Sequence, residues 1–207
     1  MCAKSRYLDT EEINAIRGFL RPSEWLPLWV SLETGLRIGD AVAIRRQALR
    51  PDGIHYRAQK TGKCGVAPIS DELRKALPTR GVWLFPSPRN RTRHITRQTA
   101  WARIKRGAKA AGVDLSGVSP HSLRKTFAVE LYRVRGFKAV QDALQHRNAA
   151  TTEIYSFADW STGENASKPL QRKDLQLIVK MVLEALGGGK DFEKESQQRH
   201  RKKTPQK

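Results

Sequence analysis

Between His121 and Tyr155 the chain sets out four side chains able to act on a phosphate: His121 and Arg124 in an H-x-x-R spacing, then His146, then Tyr155 nine residues further on. On a helix, positions three apart share a face, so His121 and Arg124 can address one ligand. A phenol can attack phosphorus, a guanidinium can hold non-bridging oxygens, and imidazoles can move protons. The set suits breaking and rejoining a phosphodiester backbone.

Two upstream segments could complete it. TGLRIGD places Arg37 just beyond Gly35, with Asp40 three residues on to orient the guanidinium. KTGK places Lys60 in a glycine-containing turn, where an ammonium could contact DNA or donate a proton; Lys63 competes for that role. Taken singly, an arginine beside an aspartate is commonly a surface ion pair, and a turn lysine is commonly just solvated.

These residues need a scaffold, and the hydrophobic pattern supplies one. Asp9 with Glu12 reads as a capping box opening a helix through about Leu20. A second helix is predicted from about Glu24 to Glu33, with Pro27 near its first turn and Gly35 as its stop. A short third helix is predicted from Gly39 to Gln47. GIHYRAQ and VAPIS, flanking KTGKCG, read as a hairpin, with Arg45 to Leu49 supplying a third strand. Helices then follow at about Asp71–Leu77 and, after the proline-rich LFPSPRN, at about Thr96–Ala111. Pro120 should start the helix bearing His121 and Arg124, whose Leu123, Phe127, Leu131 and Val134 recur at helical spacing; Gly136 should end it. A short helix around Lys138–Leu144 precedes the His146 turn. Gln171 to Leu186 reads as an amphipathic helix closed by three glycines, and the polar stretch from Lys190 as a disordered tail. The expected class is mainly α with a small three-stranded antiparallel sheet.

Composition narrows the partner. Lys and Arg number 39 against 20 Asp and Glu, a formal net charge of +19, which points to a polyanion. Double-stranded DNA is favoured over an anionic membrane, since no long basic amphipathic helix with an aromatic face stands out. Cys2 and Cys64 are too few for a disulfide framework or a thiolate zinc site. The N-terminus has no apolar signal core, and no run reaches the ~18 apolar residues of a membrane span. The expectation is a soluble cytoplasmic protein.

TGLRIGD, KTG in a hairpin, HSLRKTFA and LQHRNAATTEIY, in that order and spacing, resemble the catalytic domain of the tyrosine recombinases, or phage integrases, over roughly residues 7–160. The short length also resembles the small bacterial invertases of fimbrial genes. The resemblance implies the integrase catalytic-domain fold and assigns roles. Arg37 and Arg124 would clamp the scissile phosphate, and His121 would be the H-x-x-R histidine. His146 would take the position held by histidine or tryptophan, Lys60 would be the hairpin lysine, and Tyr155 the nucleophile. Asp40 matches the acidic residue after the first arginine. Gln145 stands where the family usually has glycine before His146. The implied reaction passes through a 3′-phosphotyrosine, with no metal, cofactor or ATP. In relatives an N-terminal core-binding domain closes around the DNA; here the resemblance begins almost at Met1, which implies that this domain is missing.

From Arg89 to Lys109 there are eight basic residues and no acidic one. Arg89, Arg91, Arg93, Arg97, Arg103, Lys105 and Arg106, with Gln98, are therefore expected to face DNA, mostly through phosphates. The expected organisation is a catalytic domain over 1–170, a C-terminal helix over 171–189 that packs on its own core or contacts a neighbouring subunit, and a basic tail over 190–207. A monomer or dimer when free and a homo-tetramer on paired sites are expected. Two rival readings remain at this level: a type IB topoisomerase, which works as a monomer without strong site preference, and a catalytically silent DNA-binding regulator.

Overall fold

A computed structural model describes residues 5–144; His146, Tyr155, the helix expected at 171–186 and the tail lie outside the described residues. Helix α1 (Thr10–Gly18) opens on the expected capping box: Asp9 Oδ1 accepts the Glu12 N–H at 2.8 Å, and Glu12 Oε2 accepts the Asp9 N–H at 3.2 Å. Helix α2 (Pro22–Thr34) starts two residues earlier than expected, with Pro22 in the first turn, where a missing N–H costs nothing. It stops at Gly35, which adopts the left-handed conformation (φ 67°).

Helix α3 (Ile38–Val42) is shorter than the predicted Gly39–Gln47. Past Ala43 the backbone pairs elsewhere: Leu84 donates its N–H to the Ile44 carbonyl at 3.1 Å, and Arg46 donates to Val82 at 2.9 Å. These long-range bonds outcompete another helical turn. Strand β1 (Leu49–Arg50) consequently begins later than read from sequence. It pairs antiparallel with β2 (Gly53–Arg57), which pairs with β3 (Cys64–Ala67), so the sheet order follows the sequence.

Helices α4 (Asp71–Ala76), α5 (Arg97–Ala110) and α6 (Pro120–Ala143) complete the described fold. Inside α6, Gly136 is non-helical (φ 75°, ψ −172°), so the chain breaks where the sequence suggested and the following turns resume as a separate segment. Helix α1 packs on α5 and α2 packs on α6. The main core gathers Ile16, Leu28, Ile54, Leu73, Ile104 and Leu123, all essentially solvent-free; a second cluster forms around Phe127, Val129, Leu131, Val140 and Leu144.

An extended strap before α1 ties residues 6–8 to α6 and the loop that precedes it. Leu8 donates its N–H to Thr126 Oγ1 at 3.2 Å, and that hydroxyl donates to the Leu8 carbonyl at 3.0 Å. The Arg6 guanidinium pairs with Glu12 at 2.6 Å and donates to the carbonyls of Ser116 and Asp114. Among the described residues no helix is long and apolar enough to cross a membrane.

Candidate active site

An open cleft of about 450 Å³ is lined by Arg37, Ile38, Gly39, Asp40, Gln59, Lys60, Arg97, Pro120, His121 and Arg124. It therefore collects Arg37, Asp40, Lys60, His121 and Arg124 from α3 with its N-cap, the β2–β3 hairpin and α6, and adds Arg97 from the basic stretch. Four cations face a single carboxylate, so the cleft is strongly positive and suited to an anionic group.

Arg37 is the residue before α3, in a turn whose shape is fixed by neighbouring side chains. Ser31 Oγ donates to the Leu36 carbonyl at 2.7 Å, and Thr34 Oγ1 accepts the Leu36 N–H at 3.2 Å. Its guanidinium is half-exposed and, among the described residues, bonds to no protein group, so its donors face the cleft.

Arg124 is buried at the cleft floor. Its Nη1 donates to the Gly35 carbonyl and its Nη2 to the Leu144 carbonyl at 3.2 Å. Helix ends leave carbonyls unsatisfied, and here the arginine takes up two of them, which fixes its plane.

His121 lies on the first turn of α6, one residue after the initiating Pro120. Loss of water around the ring, and then the positive charges of Arg124, Arg37 and Lys125, hold its pKa below the ordinary imidazole value. Neutral imidazole is the form that can accept a proton.

Lys60 is at the tip of the β2–β3 hairpin, while Lys63 does not line the cleft; both are exposed. Asp40 does not act through a bond to Arg37. Its buried Oδ1 accepts the Gln59 backbone N–H at 3.0 Å, which anchors the hairpin instead. Sequence reasoning missed Gln59, and also Tyr56, which is half-buried on β2. Burial raises the Tyr56 phenol's pKa; the charges of Arg124 and Arg37 oppose this and Asp40 adds to it, so the ring lies within the field of the cleft. Nothing in the residue types or spacing of the hairpin marked either one.

The basic residues after Arg89 do not form one surface. Arg97, Gln98 and Trp101 are exposed along α5. Lys105 donates to the Leu115 carbonyl at 2.7 Å and lies 5.7 Å from the Trp101 ring centre. Arg106 points the other way and pairs with the buried Glu24 at 2.8 Å, and Arg103 is half-buried near the same carboxylate. Arg89, Arg91 and Arg93 project from a loop closed by the Pro86–His94 bridge. That loop is braced by Asn90 Oδ1, which accepts from the Thr92 N–H and hydroxyl, and by the Trp83 indole, which donates to the Thr92 carbonyl at 2.9 Å.

Residues 6–161, three quarters of the chain, match the profile of the phage integrase family. The chain belongs to that family. Curated relatives of this integrase-family chain include the tyrosine recombinase XerD of Caulobacter vibrioides, 33% identical over 156 residues, covering 68% of this chain and 50% of the relative. XerD of Yersinia pestis is 46% identical over 143 residues, covering 62% of this chain and 45% of the relative. The chain thus spans about half the length of the curated relatives it matches.

Solved structures show the same fold. The catalytic domain of bacteriophage HP1 integrase superposes with a TM-score of 0.59 at 22% identity, covering 81% of this chain and 100% of that one. XerH site-specific recombinase bound to a palindromic difH substrate gives 0.62 at 21% identity, covering 78% and 52%. A lambda integrase tetramer bound to a Holliday junction gives 0.62 at 19%, covering 75% and 48%. The mainly helical architecture with one small antiparallel sheet is the integrase catalytic-domain fold.

Proposed function

We propose that this chain is a site-specific recombinase that cuts and rejoins DNA through a 3′-phosphotyrosine on Tyr155. The observation that carries the reading is the convergence of Arg37, Lys60, His121 and Arg124 on one cleft, although 87 positions separate the two arginines. Arg37 and Arg124 hold the two non-bridging oxygens, neutralising charge that grows in the pentacoordinate transition state. The Tyr155 oxygen bonds to phosphorus as its proton passes to His121. The bond from phosphorus to the 5′-oxygen breaks, and that oxygen takes a proton from Lys60. His146 assists at the same phosphate. Rejoining is the reverse, and because the phosphotyrosine conserves the bond energy no ATP is used. Residues 1–170 are assigned to this catalytic unit.

The other tyrosines support the choice of nucleophile. Tyr7 donates to Glu130 at 2.6 Å, and burial together with that carboxylate pushes its pKa up. Tyr56 is also raised, and Tyr132 packs in the second core cluster. Arg97, Gln98 and Trp101, with the Arg89–Arg93 loop, are assigned to DNA. Two recombining duplexes require four strand cuts, and one cleft makes one cut, so four copies on paired sites are the proposed working assembly.

The test is a nicked suicide duplex drawn from the DNA flanking the chain's own coding sequence, scored for a detergent-resistant protein–DNA adduct. Wild type forms the adduct and Tyr155→Phe forms none. An undiminished adduct in that variant sinks the nucleophile assignment, and relaxation of any supercoiled plasmid without site preference replaces recombination by topoisomerase activity.

A further inference from the structure

We infer that Gln59 is a positioning residue for Lys60, latching the β2–β3 hairpin tip to the turn that carries Arg37 so that the lysine's proton reaches the leaving 5′-oxygen. The inference rests on the reading of the cleft above. Three observations carry it.

The hairpin tip fixes its own shape but not its place. Ala58 donates its N–H to the Lys63 carbonyl at 2.8 Å, its carbonyl accepts from the N–H groups of Thr61 and Gly62, and Gly62 takes φ 70° as the tight turn requires. All of these bonds lie within the hairpin and would survive if the whole tip swung.

Gln59 supplies the outward attachment. Its backbone N–H donates to the Asp40 carboxylate at 3.0 Å, and its side-chain Nε2 donates to the Gly39 carbonyl at 3.1 Å. Both bonds reach the opening turn of α3, two and three residues beyond Arg37. Two bonds from one residue to consecutive positions remove a rotation that a single bond would leave free.

Lys60 itself has no such hold. Its side chain is exposed and, among the described residues, bonds to no protein group. A four-carbon stem ending in a point charge has many rotamers, so the place of its backbone decides whether the ammonium meets the leaving oxygen. Through Gln59 that backbone moves with Arg37, which holds the same phosphate.

The experiment uses the suicide duplex in two forms, one natural and one with sulfur replacing the bridging 5′-oxygen. A thiolate leaves without being protonated, so the sulfur duplex needs no acid. Lys60→Ala is expected to cut the natural duplex ~10²–10⁴-fold more slowly, the usual contribution of a positioned acid. Gln59→Ala, which removes an exposed side chain, is expected to lose roughly 10–100-fold, part of that same contribution. Both should come within about threefold of wild type on the sulfur duplex, while Arg37→Ala should stay slow on both. Gln59→Ala equally slow on both duplexes, or unimpaired on both, overturns the inference while leaving the active site standing. Lys60→Ala unrescued by sulfur overturns it as well, since there would be no acid to position. Wild type that forms an adduct with neither duplex overturns the reading of the cleft, and the inference falls with it.

Discussion

Gly35→Ala is the substitution whose effect can be worked most directly from the fold. Gly35 adopts φ 67°, ψ 7°, a conformation that costs an L-residue about 1–2 kcal/mol. A methyl group there would overlap Phe127 Cδ1 and come within 2.6 Å of Phe127 Cε1 and 2.9 Å of Leu144 Cδ2. Both side chains are nearly solvent-free, at 6% and 3% exposure, so neither can swing away into water. Overpacking of this kind adds about 1–3 kcal/mol. The expected destabilisation is about 2–5 kcal/mol, which for a domain of this size lowers Tm by ~4–20 °C. Urea titration and thermal unfolding measure it, with Gly39→Ala as the control. A Cβ at Gly39 meets nothing within 4 Å, so that variant should stay within about 1 kcal/mol of wild type. Because Arg124 donates to the Gly35 carbonyl, Gly35→Ala should also weaken cleavage at temperatures where the protein is still folded. A loss below about 1 kcal/mol, or one equal to that of Gly39→Ala, refutes the argument.

The pH dependence of cleavage should show His121 as a base. Its pKa lies below the ordinary 6.5, so the acid limb of kcat/KM should fall below pH 6.5 and disappear in His121→Asn; an acid limb above 6.5 contradicts the assignment. Glu24 tests the junction of α2 with α5. Arg21, with further help from Arg106, holds its carboxyl at about 2, against burial that pushes the other way. A lowered folded pKa gives stability that is present above the ordinary 4.5 and lost as pH falls towards 2. Glu24→Gln should therefore lose on the order of 1–2 kcal/mol in urea titration at pH 7, and much less near pH 2. An equal loss at both pH values refutes the electrostatic account.

What the sequence disclosed depended on how local the cause was. The Asp9–Glu12 box and the Gly35 stop are set by residues within a few positions of each other, and the start of α1 and the end of α2 formed as read. The cleft residues were legible because each sits at a punctuation point: Arg37 after a helix stop, Lys60 in a turn, His121 and Arg124 one helical turn apart. Their convergence needed the fold. The extent of α3 was misjudged because Ile44 and Arg46 bond to residues nearly forty positions away, which no local propensity reports. The basic stretch after Arg89 shows the same limit. Counting charges could not show that Arg106 is taken by Glu24, 82 positions earlier, while Arg97, about two and a half turns back, faces the cleft. Asp40 was expected to orient the guanidinium three residues before it, yet its partner is the Gln59 backbone N–H at the hairpin tip.

The strap at the chain's start has a consequence for synthesis. Leu8 is bonded to a hydroxyl 118 positions later, and at 5–20 residues per second it waits roughly 6–24 s on the ribosome for Thr126 to be made. Until then both bonds that Thr126 makes to the Leu8 backbone lack their partner. The residue that ends the wait follows Arg124 by two positions on the same turn of α6. One turn of α6 thus both anchors Leu8 through Thr126 and carries Arg124, so the strap and the buried arginine depend on the same stretch of helix.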